Sequence, residues 1–287
     1  MTARGPAPIG SWRGEIQDFF RALAGGFIFA VPLLYTMEMW WIGTATPLWK
    51  LLAFLGIAFL IGLGLAGSRD GGFKAETSRF ASIEQAVDGM AIGIVGAVVI
   101  LAILNRIQGS DPLGAILGKV IIQAIPLSIG AAVANAVFGR GRNASGRGEE
   151  EPAPPLDVKT EFLSDLGATT IGAIFLGFSI APTDEVTMLA AGMDYPHLLA
   201  LIVLSLAVSL IIVFASGYGD SATQPGPFQS PLAETVFSYV VSLLVAAFSL
   251  YFFDRIEWGD PLGQIVAMVL VLGLPTTIGG AAGRLAV

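Results

Sequence analysis

Apolar runs of roughly 20 residues recur along this chain, and the charge is gathered into the short stretches between them. At about 1.5 Å per residue, each run is long enough to cross a hydrocarbon core of about 30 Å. The pattern predicts eight spans, near Arg21–Ile42, Pro47–Ala66, Ala86–Leu104, Leu113–Phe138, Leu166–Met193, Leu198–Ser216, Leu232–Phe253 and Leu262–Leu285. The expected fold class is therefore all-α, a polytopic membrane protein. Trp12, Phe19 and Phe20 in the largely polar stretch before the first run predict a short interfacial helix leading into the membrane. The first run is too long, and follows too many polar residues, for a cleaved signal peptide.

A second pattern lies over the first. Asn105-Arg106-Ile107-Gln108-Gly109-Ser110-Asp111-Pro112-Leu113-Gly114 matches Asp254-Arg255-Ile256-Glu257-Trp258-Gly259-Asp260-Pro261-Leu262-Gly263. The match runs on from Ile125-Pro126-Leu127-Ser128 to Leu274-Pro275-Thr276-Thr277. At nearly the same offset Thr36 falls on Thr183 and Glu38 on Glu185. The halves read as duplicated four-span units: residues 1–138, a flexible linker at 139–160 rich in Gly, Pro and charge, and residues 161–287. An even number of spans returns each half to its starting side. The halves then share one orientation, about a pseudo-twofold axis along the membrane normal.

Composition agrees with a membrane chain. Of the 287 residues, 54% are hydrophobic and 13% charged, against about 25% charged in soluble domains. Mean hydropathy is +0.76. Basic residues set the expected topology. Arg4, Arg13, Arg21, Arg69, Lys74, Arg79, Arg140, Arg142, Arg147, Lys159 and Arg284 fall on one side, which places both termini in the cytoplasm. Trp40, Trp41 and Trp49 are expected in the outer aromatic belt. No cysteine and a single histidine, His197, exclude thiolate chemistry and histidine metal clusters. No basic stripe suggests nucleic acid. The Asn143-Ala144-Ser145 sequon faces the cytoplasm on this topology.

The candidate chemistry is acidic. A carboxylate within a span costs about 2.5–3.5 kcal/mol unless it is paired or hydrated. Glu38, Glu185 and Asp184 incur that cost in matched stretches, and are read as a cation- or proton-binding site. Glu38 is expected roughly 6–12 Å below the outer surface. Thr36 and Thr183 would add neutral oxygens, a ligand set suited to hard cations. Pro32 and Pro182 precede the acids, and each would break a helix and free a carbonyl. Pro126 and Pro275 do the same at matched positions in spans four and eight. Lys119, whose counterpart is Met268, is expected to pair with one of the three acids and tune the charge. Arg106 with Asp111, and Arg255 with Asp260, are expected to brace their turns and start the next helix. Asp88 has no acidic counterpart and reads as interfacial.

The run Pro32-Leu33-Leu34-Tyr35-Thr36-Met37-Glu38-Met39-Trp40-Trp41-Ile42-Gly43, with the paired Asp-Pro-Leu-Gly turns, resembles a family of bacterial integral membrane proteins defined by a domain of unknown function. The resemblance implies an inner-membrane address and brings no site residue with it. The residues themselves point to a cation or proton-coupled channel or transporter. The competing reading is a non-transporting accessory or scaffold subunit of a larger membrane complex. The lipid bilayer is the expected surrounding, and the chain's size fits a homodimer. No nucleophile elbow, phosphate loop or metal-ligand motif appears, so neither enzymatic activity nor a cofactor is expected.

Overall fold

A computed structural model of the chain describes residues 12–69, 76–138, 158–215 and 231–284. Ten helices and no strand lie among the described residues. They are α1 Trp12–Leu34, α2 Met37–Ala45, α3 Leu48–Arg69, α4 Glu76–Ile103, α5 Leu113–Phe138, α6 Val158–Ile180, α7 Glu185–Ala191, α8 Tyr195–Ala215, α9 Pro231–Phe252 and α10 Leu262–Gly283. Six are long and apolar enough to cross a membrane, or up to eight spans if each bent pair counts as one.

The bent pairs correct the expectation of straight first and fifth spans. The axes of α1 and α2 meet at 88°, and those of α6 and α7 at 86°. Counting along a straight helix therefore misjudges the depth of Glu38. The expected interfacial helix is not separate either, because α1 runs without interruption from Trp12 to Leu34. Helix α6 begins at Val158, and residues 139–157 of the expected linker, with the Asn143 sequon, lie outside the described residues.

In the N-terminal half α5 packs against α1, α2, α3 and α4; in the C-terminal half α10 packs against α6, α7, α8 and α9. Glycine sets the closest approach in each. Gly25 of α1 lies on the Gly130 carbonyl of α5, and Gly172 of α6 on the Gly279 carbonyl of α10. A methyl group at any of these glycines would press into facing backbone, so the helices meet main chain to main chain. Gly43 and Gly118 bring α2 onto α5 in the same way.

The turns after α4 and α9 share one construction. Asn105 (φ 55°) and Asp254 (φ 54°) occupy the left-handed region, which these residue types tolerate. The Arg106 and Arg255 N–H groups then reach back to the Leu101 and Leu250 carbonyls, each at 2.8 Å, closing Schellman caps. The aspartates brace the turns without the arginines: Asp111 accepts from the Gln108 N–H at 3.3 Å and Asp260 from the Glu257 N–H at 2.9 Å. Both arginines turn elsewhere. One continuous buried apolar cluster, including Val31, Leu34, Leu104, Leu201, Val271 and Leu272, passes through both halves.

Candidate functional site

Both bends, and the turns after α4 and α9, converge at one end of the molecule. At the first bend, α1 ends with its last carbonyls facing an interrupted helix. The Thr36 N–H and hydroxyl donate to the Leu33 carbonyl at 3.3 and 2.8 Å. The Gln123 Nε2 of α5 donates to the same oxygen at 3.2 Å, and the Trp40 Nε1 takes the Leu34 carbonyl at 3.1 Å. At the second bend the Thr183 N–H and hydroxyl donate to the Ile180 carbonyl at 3.1 and 2.7 Å. The threonines therefore finish helices by the same local bond in both places. A hydroxyl that donates this way keeps lone pairs free to accept.

The acids part company. Glu185 opens α7 and is buried. Its Oε1 accepts from the Met37 N–H, the first amide of α2, at 3.5 Å, so a carboxylate of the second bend meets the backbone of the first. A negative charge suits such helix starts, yet one long hydrogen bond does not replace a hydration shell. Glu38, in the first turn of α2, is exposed and has no hydrogen-bond or ion-pair partner among the described residues. Asp184 is also exposed, and pairs with Arg255 at 2.6 Å, while a second Arg255 nitrogen donates to the Pro182 carbonyl.

Lys119 does not join these acids. Its Nζ donates to the Arg106 carbonyl at 2.6 Å and pairs with Asp111 at 3.3 Å. The turn after α4 folds back over the start of α5, and so offers Lys119 oxygens nearer than those of the bends. Arg106 stacks on the Trp40 ring, 5.2 Å from its centroid. Partial burial pushes its guanidinium below the ordinary arginine pKa. Beside it, the Asn105 Nδ2 donates to the Gly192 carbonyl at 2.6 Å, tying this turn to the end of α7. Trp40 thus sits inside, at 4% exposure, and not in the outer belt; Trp41 and Trp49 face outward.

Only one of the four prolines lies in a break. Pro182 sits in the α6–α7 bend, whereas Pro32, Pro126 and Pro275 lie within α1, α5 and α10. A helical proline still orphans the carbonyl four residues earlier. For Pro275 that is Val271, and the buried Tyr35 hydroxyl donates to it at 2.7 Å. Tyr35 stands in the first bend, so the defect in α10 is filled from the other half of the chain.

Two contributors escaped the sequence reading. Tyr35 gave no signal beyond lying next to Thr36. Gln123 did give one, as a lone amide in an apolar run. It is fully buried, and its Oε1 has no partner among the described residues. No three His, Asp or Glu side chains converge among the described residues. His197 is half-buried after Pro196, and Asp88 is exposed on α4.

A family model described as "Putative integral membrane protein (DUF2391)" matches residues 18–287, and the chain belongs to that family. This bears out the resemblance carried by the Thr36–Trp41 run and the paired turns. No curated protein and no solved structure matches the chain.

Proposed function

We propose that this member of the family moves a proton or a monovalent cation across the membrane, and that Glu185 is the carboxylate that binds it. One observation carries the reading. The Glu185 carboxylate is buried where two interrupted helices meet, and a single long bond from the Met37 N–H is its only partner among the described residues. An ionised carboxylate so placed is costly, and a proton or bound cation relieves the cost. Interrupted helices serve this purpose in transporters because their ends bring backbone dipoles to an ion at depth. A site with one carboxylate suits a proton or a singly charged ion better than a divalent one, which wants several acidic oxygens.

The remaining features take supporting roles in this reading. Thr36 and Thr183 hold the two helix ends, and their hydroxyls keep lone pairs free to accept. Arg255 neutralises Asp184 and so keeps the charge of the site on Glu185. The chain is two copies of one unit in parallel orientation, with eight spans, α2 and α7 turned aside at the outer ends of α1 and α6, and both termini in the cytoplasm. The matched threonine caps, Schellman turns and glycine contacts support the copies. The distribution of basic residues supports the orientation.

The test is flux in proteoliposomes under an imposed proton or sodium gradient. Glu185→Gln is expected to lower flux by about tenfold or more, since a neutral amide cannot exchange a proton or balance a cation. Wild-type flux in that variant would sink the assignment. The accessory-subunit reading has its own support, in the apolar cluster packed through both halves and the ion pairs that occupy Asp184 and Lys119. It predicts no gradient-driven flux from the purified chain, and stoichiometric co-purification with a larger assembly.

A further inference from the structure

The two halves do not meet as mirror partners. In the N-terminal half, α1 turns one face toward the C-terminal half and packs there against α8 and α10. That face carries Ala24, Ile28, Val31 and Tyr35, with Ala24 at 5% and Val31 at 0% exposure. The matching positions of α6 are Ile171, Phe175, Phe178 and Pro182. Two of them lie open among the described residues: Ile171 is 71% and Phe175 76% exposed. Phe178 stacks on Phe252 of α9 at 5.4 Å between ring centroids, which makes a broad, stiff aromatic surface beside Phe175.

The other side of the contact shows the same imbalance. On α8 the positions Leu201, Ser205, Val208 and Ile212 are buried, between α10 of their own half and α1 of the other. Their matches on α3 are Leu52, Gly56, Phe59 and Leu63, of which Leu52 and Gly56 are exposed. A Cβ added at Gly56 or Gly64 would meet nothing within 4 Å among the described residues. The joint inside the chain is therefore head-to-tail. It uses the α1 face of one half and the α8 face of the other, and leaves one matching face of each kind open.

We propose that a second copy of this chain covers these faces, with α3 of one copy seated on the α6–α9 face of the next. The inference rests on reading the halves as copies of one unit. A head-to-tail contact repeats until it closes into a ring, and here the ring alternates joints within and between chains. Shape supports the pairing. Where the faces of the internal joint carry Ala24 and Ile28 on α1 and Ser205 and Val213 on α8, the matching open positions carry the larger Ile171 and Phe175 on α6 and the smaller Gly56 and Gly64 on α3. Bulk is moved across the joint, and glycines on a helix admit close packing.

The cysteine-free chain makes the test direct. Phe175→Cys and Gly56→Cys are placed on separately tagged copies, co-expressed, and oxidised in native membranes. A disulfide-linked species carrying both tags is expected, with neither variant linking to itself. Absence of that species, or like-with-like linkage alone, overturns the proposal. Gly56→Leu adds a second measurement, because a Cβ at this position meets open space among the described residues. By light scattering in mild detergent it is expected to turn the wild-type assembly into monomers with an unchanged melting temperature. A monomeric wild type, or a different protein co-purifying on this face, also overturns it. Flux through Glu185 is read separately. Loss of the cross-link with Glu185-dependent flux intact removes the docking surface alone, and the reverse removes the transport reading alone.

Discussion

The two bends are alike in backbone and unlike in side chains. Each helix ends on a threonine that bonds back to its own last turn, and each short helix opens near a glutamate. At the first bend everything else is closure. Tyr35, Trp40 and Gln123 take up orphaned carbonyls, and Glu38 is left outside. At the second bend, closure falls to Arg255, and Glu185 is drawn in beneath the first. The difference teaches that two bends of like backbone need not carry the same site. One bend supplies the acid, and the other supplies the amide that receives it.

The sharpest way to break this comparison is to neutralise both glutamates in turn. Glu185→Gln should lower flux about tenfold or more and raise the melting temperature, since it removes a buried charge with little compensation. Glu38→Gln should change flux by less than about twofold, as befits an exposed charge. Equal losses from the two would restore a symmetric site. Next in size is the glycine packing that the halves share. Gly25→Ala and Gly172→Ala each press a methyl group into facing backbone, and each should cost about 1–3 kcal/mol in thermal or denaturant unfolding. Similar losses would show that the scaffold is held in common while the chemistry is not.

An effect of similar size, but one-sided, is expected at the bends themselves. Tyr35→Phe leaves the Val271 carbonyl buried without a donor and should cost about 1–3 kcal/mol. Its match in the second bend is Pro182, which has no hydroxyl to lose. Smallest is Lys119→Met, which copies Met268. Its partner Asp111 is partly exposed, so a loss of about 0–1 kcal/mol is expected, with flux unaltered. A large flux defect there would return Lys119 to the site.

The apolar helices were legible because hydropathy over about 20 residues is a strong local signal. The bends were only half legible. Pro182 marks the second, but Tyr35-Thr36 carries no proline or glycine, and Pro32 lies inside the last turn of α1. The fate of the acids depends on which face of a short helix turns inward after a bend near 90°, and no periodicity records that. Lys119 was misassigned for a related reason. Depth along a span ranked its neighbours, but a turn folding back over α5 brought the Arg106 carbonyl and Asp111 closer. The partners of Arg106 and Arg255 were hidden in the same way, since both reach across elements distant in sequence.

The bond between Tyr35 and the Val271 carbonyl also bears on how the protein is made. The two residues stand 236 positions apart. At synthesis rates of about 5–20 residues per second, the tyrosine emerges roughly 10–50 s before its acceptor exists. Until then its hydroxyl must find water, lipid headgroups or a chaperone. The last helix, in turn, inserts with a gap in its hydrogen-bond ladder that only the earlier half can fill. This bond therefore forms only after α10 has been synthesised, so it is among the late contacts of assembly.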